Sequence, residues 1–390
     1  VALAIIVAPT DREAELLDRC LSGEINSFAY PAQSNIDLNS VDSLPDNVDS
    51  IFVTITGSNA KCEEVAKKHG AHISHYQWNN DFAGARNFNF SEVPLEYKYI
   101  FWVDADDVVR NAYLIKDIAV EASKEVIDLV VLNYLYGFDV DGNCDVQHLK
   151  TRLIKNDGCV KWIGELHEDF APTRQVVSHL NKEVEIIHLT DPKRIETASL
   201  RNQLIAEGAV KNDPKDPRVY WNLANTYKQN GKYNEAGKIY LQFLDISKSE
   251  EERFMTWCNL SSTYSALGKY DYAIEAALEA LNIRPWYPDP YLQLGELFFN
   301  SGKPRHAQEM AEMCLKKELP ETQAIVWNPL DYKYNPHALL AKVYLQLNQP
   351  RKAIKELRKC AKLREKDKRI KDLIKALQPE IKKFDIADAI

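Results

Sequence analysis

The chain has 390 residues, with 49 Lys and Arg against 57 Asp and Glu, for a net charge of -8 at pH 7. At roughly 100–200 residues per domain, that length carries two or three domains with full hydrophobic cores. An acidic balance without a long basic run excludes nucleic acid as a direct partner. No window approaches about 18 uninterrupted apolar residues, so no transmembrane segment is expected. The apolar start VALAIIVAP is too short for a span and lacks a basic lead. Numbering begins at Val1 rather than Met, which leaves room for a leader or a few further residues ahead of it. The seven cysteines are odd in number, scattered and never in a C-x-x-C pair, which points to reduced thiols and a cytoplasmic protein.

From Val1 to about Leu189, short β-rich runs alternate with helical patterns, the signature of an α/β layer fold. ALAIIVA reads as a buried strand, and DREAELLDRCL as an amphipathic helix with Leu16, Leu17, Cys20 and Leu21 on one face. SIFVTITG is the next strand, closed by Gly57 and followed by the helix AKCEEVAKKHG. HISHYQW and YIFWVD supply two more strands. Strands alternating with helices imply a mainly parallel sheet, whose ligands sit at the carboxyl ends of the strands.

Beyond about Glu196 the strand signal gives way to a helical repeat. Leu223, Tyr227, Gly231 and Ala236 are spaced 4, 4 and 5, and so are Leu260, Tyr264, Gly268 and Ala273. Leu294, Phe298, Gly302 and Ala307 repeat the spacing, as do Leu340, Tyr344, Asn348 and Ala353. The copies start 37, 34 and 46 residues apart, close to the tetratricopeptide period, with the surplus of the last interval in LPETQAIVWNPLDYKYNP. Leu and Tyr share a face of the first helix, Gly turns the chain, and Ala admits the second helix at close range. LIAEGAVKNDPKDP reads as the tail of an earlier, partial repeat. The Lys-rich KLREKDKRIKDLIKALQPEIKKF reads as a polar capping helix with a solvated face. The division is expected at 1–195 and 196–390.

YIFWVDADDVV runs from an apolar strand straight into Asp104, Asp106 and Asp107. A lone D-x-D is a weak signal, since it also caps helices and decorates loops. At the end of a buried strand, two carboxylates one residue apart suit Mg²⁺ or Mn²⁺ held against a diphosphate. Asp107 reads instead as a cap for the following segment. Just upstream, WNNDFAGARNF sets Asp81, Arg86 and Asn87 among Ala83, Gly84 and Ala85, small residues that would admit a close ligand. Arg86 suits a diphosphate, or pairs with Asp81 or Asp106.

Together WNNDFAGARNF, WVDADD, the W-x-G-x-x-H-E core of TRLIKNDGCVKWIGELHEDF and the downstream EIIHL resemble a family-two glycosyltransferase of the GT-A fold. The resemblance covers about half the chain. With the repeats attached it is similar to the subgroup that includes sublancin-type peptide S-glycosyltransferases. It implies an α/β nucleotide-sugar-binding GT-A domain with a mainly parallel sheet, followed by an all-α tetratricopeptide-repeat solenoid. It assigns Pro9, Thr10, Asp81, Arg86 and Asp104 to the nucleotide sugar, and Asp106 and His188 to a divalent Mn²⁺ or Mg²⁺. His167, Glu168 and Asp169 fall where the base of inverting members acts, with Glu168 first and Asp169 the alternative. The chemistry asks for the same residue types: a cation for the leaving phosphates and a carboxylate for the acceptor's proton. The partners implied are a nucleotide-sugar donor and a peptide or protein acceptor, and the repeats offer a surface to a second copy of the chain.

Plainer roles stay open for several of these residues. Trp162 reads as core rather than a sugar platform, His188 as a hydrogen-bonded core histidine or a ligand, and Glu168 as a support for His167 or a partner of Arg152. The second strand departs from the family, because Ile55 and Ala60 stand where carboxylates are expected. The first strand ends in APTDRE, so Asp11 and Glu13 match the family only loosely. Two other readings follow. The catalytic domain has decayed into a docking module, or the chain is a nucleotidyltransferase, which would need an early Gly-rich loop that IIVAPTDRE lacks.

Overall fold

Leu3, Ile5 and Val7 alternate with Ala2 and Ala4, and all five are buried, as befits a central strand covered on both faces. In the computed structural model the described residues are 1–24, 41–139, 141–189, 192–318, 326–365 and 367–387. The chain forms two compact units, Val1–Ala209 with Ala324–Trp327, and Val210–Gln323 with Asn328–Ile390.

The first unit runs β1 (Ala2–Val7), α1 (Asp11–Ser22), β2 (Ser50–Ile55), α2 (Ala60–Lys68), β3 (His72–His75), α3 (Phe82–Ser91), β4 (Tyr99–Asp104) and β5 (Asp107–Arg110). It continues with α4 (Ile115–Lys124), β6 (Leu129–Phe138), β7 (Cys144–Lys155), β8 (Val160–Ile163), β9 (Asp169–Pro172) and β10 (Ser178–His188). Helix α5 (Pro192–Asn212) follows, crossing the limit of the unit. α1 starts where the sequence suggests: the Thr10 hydroxyl accepts from the Glu13 amide, Asp11 and Glu13 fill the first turn, and Leu16, Leu17, Cys20 and Leu21 are buried. HISHYQW is a shorter strand than it reads, since pairing with β2 stops at His75.

Eight strands form one sheet in the order β3-β2-β1-β4-β7-β6-β10-β5, and β8 pairs with β9 apart from it. Neighbours from β3 to β4 are parallel, as are β6 and β10. The β4–β7, β6–β7 and β5–β10 pairs are antiparallel. Two cores flank the sheet, one holding Leu3, Ile5, Phe101 and Val103. The other holds Ala2, Ala4, Ile100, Trp102 and Trp162. Trp162 is therefore core, as its sequence context suggests.

Strand order reverses at β1, with β2 on one side and β4 on the other, and Ile6 pairs with Asp104 in register. Such a switch point leaves a crevice beyond the carboxyl ends of the two strands. Here the chain leaves β4 at Asp104 and enters the edge strand β5 at Asp107, so Asp104, Asp106 and Asp107 cluster at the carboxyl end of β4.

In the second unit, α6 (Pro217–Gln229) and α7 (Tyr233–Ile246), α8 (Glu250–Ala266) and α9 (Tyr270–Ile283), α10 (Asp289–Asn300) and α11 (Pro304–Cys314), and α12 (Tyr334–Gln346) and α13 (Pro350–Leu363) make four helix pairs. Leu223, Leu260, Leu294 and Leu340 are buried, and Ala236, Ala273, Ala307 and Ala353 are fully so. The extra residues before the fourth pair, 319–336, lie partly outside the described residues. Ile370 and Leu377 of α14 (Lys368–Ala387) pack on Ile354, Leu357 and Cys360 of α13, and Lys368, Lys371 and Lys375 face solvent, as a capping helix requires.

Gly231, Gly268 and Gly302 turn the chain with φ of 71, 69 and 71°, and Asn348 does so in the fourth copy at 57°. Left-handed backbone is open to Gly and tolerable for Asn. A Cβ added at Gly268 meets nothing within 4 Å, so Ala there pays for conformation alone. Gly268→Ala is expected to lower stability by about 1 kcal/mol in a urea melt, and Gly268→Asn by less.

Candidate active site

The centre of the site is Arg86 on α3. Its Nη2 donates to Asp104 Oδ1 and its Nε to Glu168 Oε1, both at 2.5 Å. The guanidinium lies 4.3 Å from the ring of Trp102 and 5.2 Å from that of Trp162, and its side chain is 5% exposed. Neither pairing offered by the sequence, with Asp81 or with Asp106, is the one formed. Glu168, likewise, meets Arg86 and not Arg152. Burial alone would raise the pKa of Asp104, but Arg86, Arg152 and Lys150 outweigh it and hold the carboxyl well below its ordinary range. For Glu168, too, burial is outweighed by Arg86 and Lys150, and the net shift is downward.

Asp107 is no loop cap. It is fully buried and accepts from the Asp104 amide at 3.0 Å and the Tyr134 hydroxyl at 3.1 Å. Arg152, also fully buried, stands 3.2 Å from Oδ2, the oxygen that accepts from the Asp104 amide. On β10, His188 lies opposite Asp107 in register, with Nδ1 at 3.3 Å from Asp107 Oδ1 and 3.6 Å from Asp106 Oδ1. Its ring stacks on Tyr136 at 4.7 Å and 5°. Burial lowers the pKa of His188, yet Asp106 and Asp107 reverse that, so the net shift is upward. Asp106, Asp107 and His188 offer ligand atoms within 4.8 Å of one another. Arg19 fixes the backbone beneath them, donating to the carbonyls of Asp106 at 3.1 Å and Leu189 at 3.4 Å.

The other expected residues divide into two groups. Pro9 and Thr10 sit at the mouth of the switch point, where Pro9 packs under Gly57 and Thr10 caps α1. His167 and Glu168 lie in the hairpin between β8 and β9, with Gly164 at φ 92° and His167 at 51°, and Asp169 opens β9. Asp81 is the cap of α3, accepting from the Gly84 amide at 2.9 Å. The space above Gly84 is taken by the Asp81 carboxylate and the Tyr76 hydroxyl, each 2.6 Å from an added Cβ. That space is therefore filled by the protein's own side chains and not open to a ligand. At the end of β2, Ile55 is buried and Ala60 starts α2. Asp11 reaches toward this end from α1, held by Lys61 at 2.6 Å and Asn59 at 3.1 Å.

His148, Lys150, Tyr134, Tyr136 and the pairing of Arg152 with Asp107 were not foreseen from the sequence. A signal was present: HLKTR puts basic residues at every second position, and a strand sends alternate side chains to one face.

Arg86→Met would leave two largely buried carboxylates without their cation, and a loss of about 3 kcal/mol is expected by chemical unfolding. Asp104 and Glu168 both have depressed pKa values, so their contribution is complete at neutral pH and is lost as pH falls below about 4. Without Arg86 both carboxyls titrate higher, and acid unfolding followed by circular dichroism should begin at higher pH than in the wild type.

Residues 6–196 match the family described as glycosyl transferase family 2. Residues 216–285 and 335–367 match tetratricopeptide repeats. No curated protein matches. Among solved structures, a tetratricopeptide-repeat protein of Thermus thermophilus is 19% identical over 47% of this chain and 92% of its own, with a TM-score of 0.36. MamA is 20% identical over 46% of this chain and 97% of its own, with a TM-score of 0.36. A repeat protein of Parabacteroides merdae is 14% identical over 50% and 73%, with a TM-score of 0.39. The α/β half carrying the carboxylates thus matches glycosyl transferase family 2 over residues 6–196, and the helix pairs that follow it match tetratricopeptide repeats.

Proposed function

We propose that the chain transfers a sugar from a nucleotide-sugar donor to a peptide or protein acceptor, with inversion at the anomeric carbon. The observation that carries this reading is the single guanidinium of Arg86 holding Asp104, at the switch point, and Glu168, on the β8–β9 hairpin. It couples the strand end where a donor would lie to the loop where an acceptor would approach. The division of labour follows 1–195 for transfer and 196–390 for recognition, supported by the family match ending at residue 196.

The donor set of Asp106 carboxylate and His188 imidazole fits Mn²⁺ or Mg²⁺, while Asp107 is already engaged by Arg152, Tyr134 and a backbone amide. Such a cation, when bound, would offset the charge of the departing diphosphate. Pro9 and Thr10 border the donor end of the crevice, and Asp104 faces it from β4. Glu168 stays ionised at neutral pH, and only its Oε1 is engaged by Arg86. Its other oxygen is placed to accept the acceptor's proton, with Asp169 next in line and His167 beside it. A single displacement assisted by a base inverts the anomeric centre. Asp81 acts in this reading through α3, as the cap that fixes Arg86. Stacked helix pairs present an extended surface, which suits an acceptor chain, as in the sublancin-type peptide S-glycosyltransferases, or a second copy. All seven cysteines are free, in keeping with the cytoplasm, and no described helix is long and apolar enough to cross a membrane.

The second reading, a decayed domain serving as a docking module, is favoured by Ile55 and Ala60 at the end of β2. The paired Asp104, Arg86 and Glu168 weigh against it, because decay would not be expected to keep such costly buried charges.

A screen of nucleotide sugars with Mn²⁺ and with Mg²⁺, read by release of nucleoside diphosphate, tests the proposal. Asp106→Ala is expected to abolish release while keeping the wild-type circular dichroism spectrum, and undiminished metal-dependent release would remove Asp106 from its role. Glu168→Gln should lower kcat for transfer by about 100-fold with little change in donor affinity. A near-normal kcat would pass the base to Asp169.

A further inference from the structure

We propose that Lys150 is the cation that grips the phosphate oxygens of the donor, an assignment that rests on the transferase reading above. Strand β7 presents His148, Lys150 and Arg152 at alternate positions, hence on one face. The β4–β7 ladder ends at Phe101 opposite Leu153. Beyond that pair, Lys150 and Arg152 both stand over the rings of Trp102 on β4 and Tyr134 on β6, and the Lys150 charge acts on Asp104. Lys150 thus flanks the carboxylate at the switch point, two residues from Asp106.

The direct ion pairs at the site leave Lys150 out. Arg86 occupies Asp104 and Glu168, and Arg152 occupies Asp107. Among the described residues Lys150 has no carboxylate within ion-pairing distance. Its Nζ rests 5.2 Å from the Trp102 ring and 5.9 Å from that of Tyr134. Burial, followed by the Arg152 charge, pushes its pKa down, and the more distant Glu168 and Asp104 only partly oppose that. Beside it, His148 is driven to about 3 by burial and by Lys150 and Arg152, and so stays neutral. A half-buried ammonium without an anion is unfavourable in the free protein and valuable once a phosphate arrives, since the low-dielectric setting strengthens the attraction. Lys acts here as a compact point charge, which suits a phosphate oxygen whose negative charge grows as the sugar departs.

The test is calorimetric titration of the full chain in EDTA with inorganic pyrophosphate, with UDP, GDP and dTDP, and with the matching nucleosides. In Lys150→Gln and Lys150→Met, affinity for pyrophosphate and for the best-bound diphosphate is expected to fall at least tenfold. Nucleoside affinity should stay the same, and Lys150→Arg should recover most of the loss. Wild-type diphosphate affinity in the folded neutral variants would overturn the assignment and direct Lys150 to an anionic sugar or acceptor. Failure of both neutral variants to fold would make Lys150 a structural cation and overturn it as well. If the wild-type chain binds none of the diphosphates, with or without Mn²⁺, the donor reading itself falls and takes this proposal with it.

Discussion

Asp107 and Arg152 meet with no solvent exposure on either side chain, and the rest of the site is arranged around that pair. A buried ion pair broken on one side costs about 3–5 kcal/mol, because the remaining charge has no water to turn to. The pair therefore constrains everything that touches it. Asp107 begins β5 at the far edge of the sheet, Arg152 sits on β7 next to β4, and Tyr134 joins from β6. Carboxylate and guanidinium thus tie four strands together just below the crevice. Asp104 is oriented because its amide donates to Asp107 Oδ2, and His188 because its ring faces the other oxygen, Oδ1.

This arrangement explains why part of the site was legible and part was not. An apolar strand ending in three carboxylates is a local pattern, and strand order follows from alternating strands and helices, so Asp104 and Asp106 could be placed at the crevice from sequence. What pairs with them depends on which strand lies beside β4. The chain inserts β7 there, from some fifty residues downstream, in antiparallel sense. No local signal announces that insertion, and Asp107 looks like a loop cap until β10 and β7 close over it. The same holds for Arg86, whose partners arrive from β4 and from a hairpin 82 residues away.

The repeat half was more legible for a physical reason. Each helix pair uses the same small residue where helices approach and the same left-handed turn, so one local rule is written several times. Asn348 shows the rule rather than the letter, since it adopts φ 57° where the other copies use Gly. Residues that would recognise a ligand on such a surface do not repeat, and periodicity is silent about them. Strand ends were less legible, as at β3, because hydrogen-bonding partners and not composition decide where a strand stops.

The proposal for this site is that a nucleotide sugar is handled at the switch point between β1 and β4. It is tested most directly by the crystal structure of the chain grown with MnCl₂ and the nucleoside diphosphate that best raises its thermal midpoint. An anomalous manganese peak is expected between Asp106 and His188, with diphosphate density running from it past Asp104 toward Thr10. Ordered nucleotide and manganese elsewhere on the protein, with this crevice holding only solvent, would contradict it.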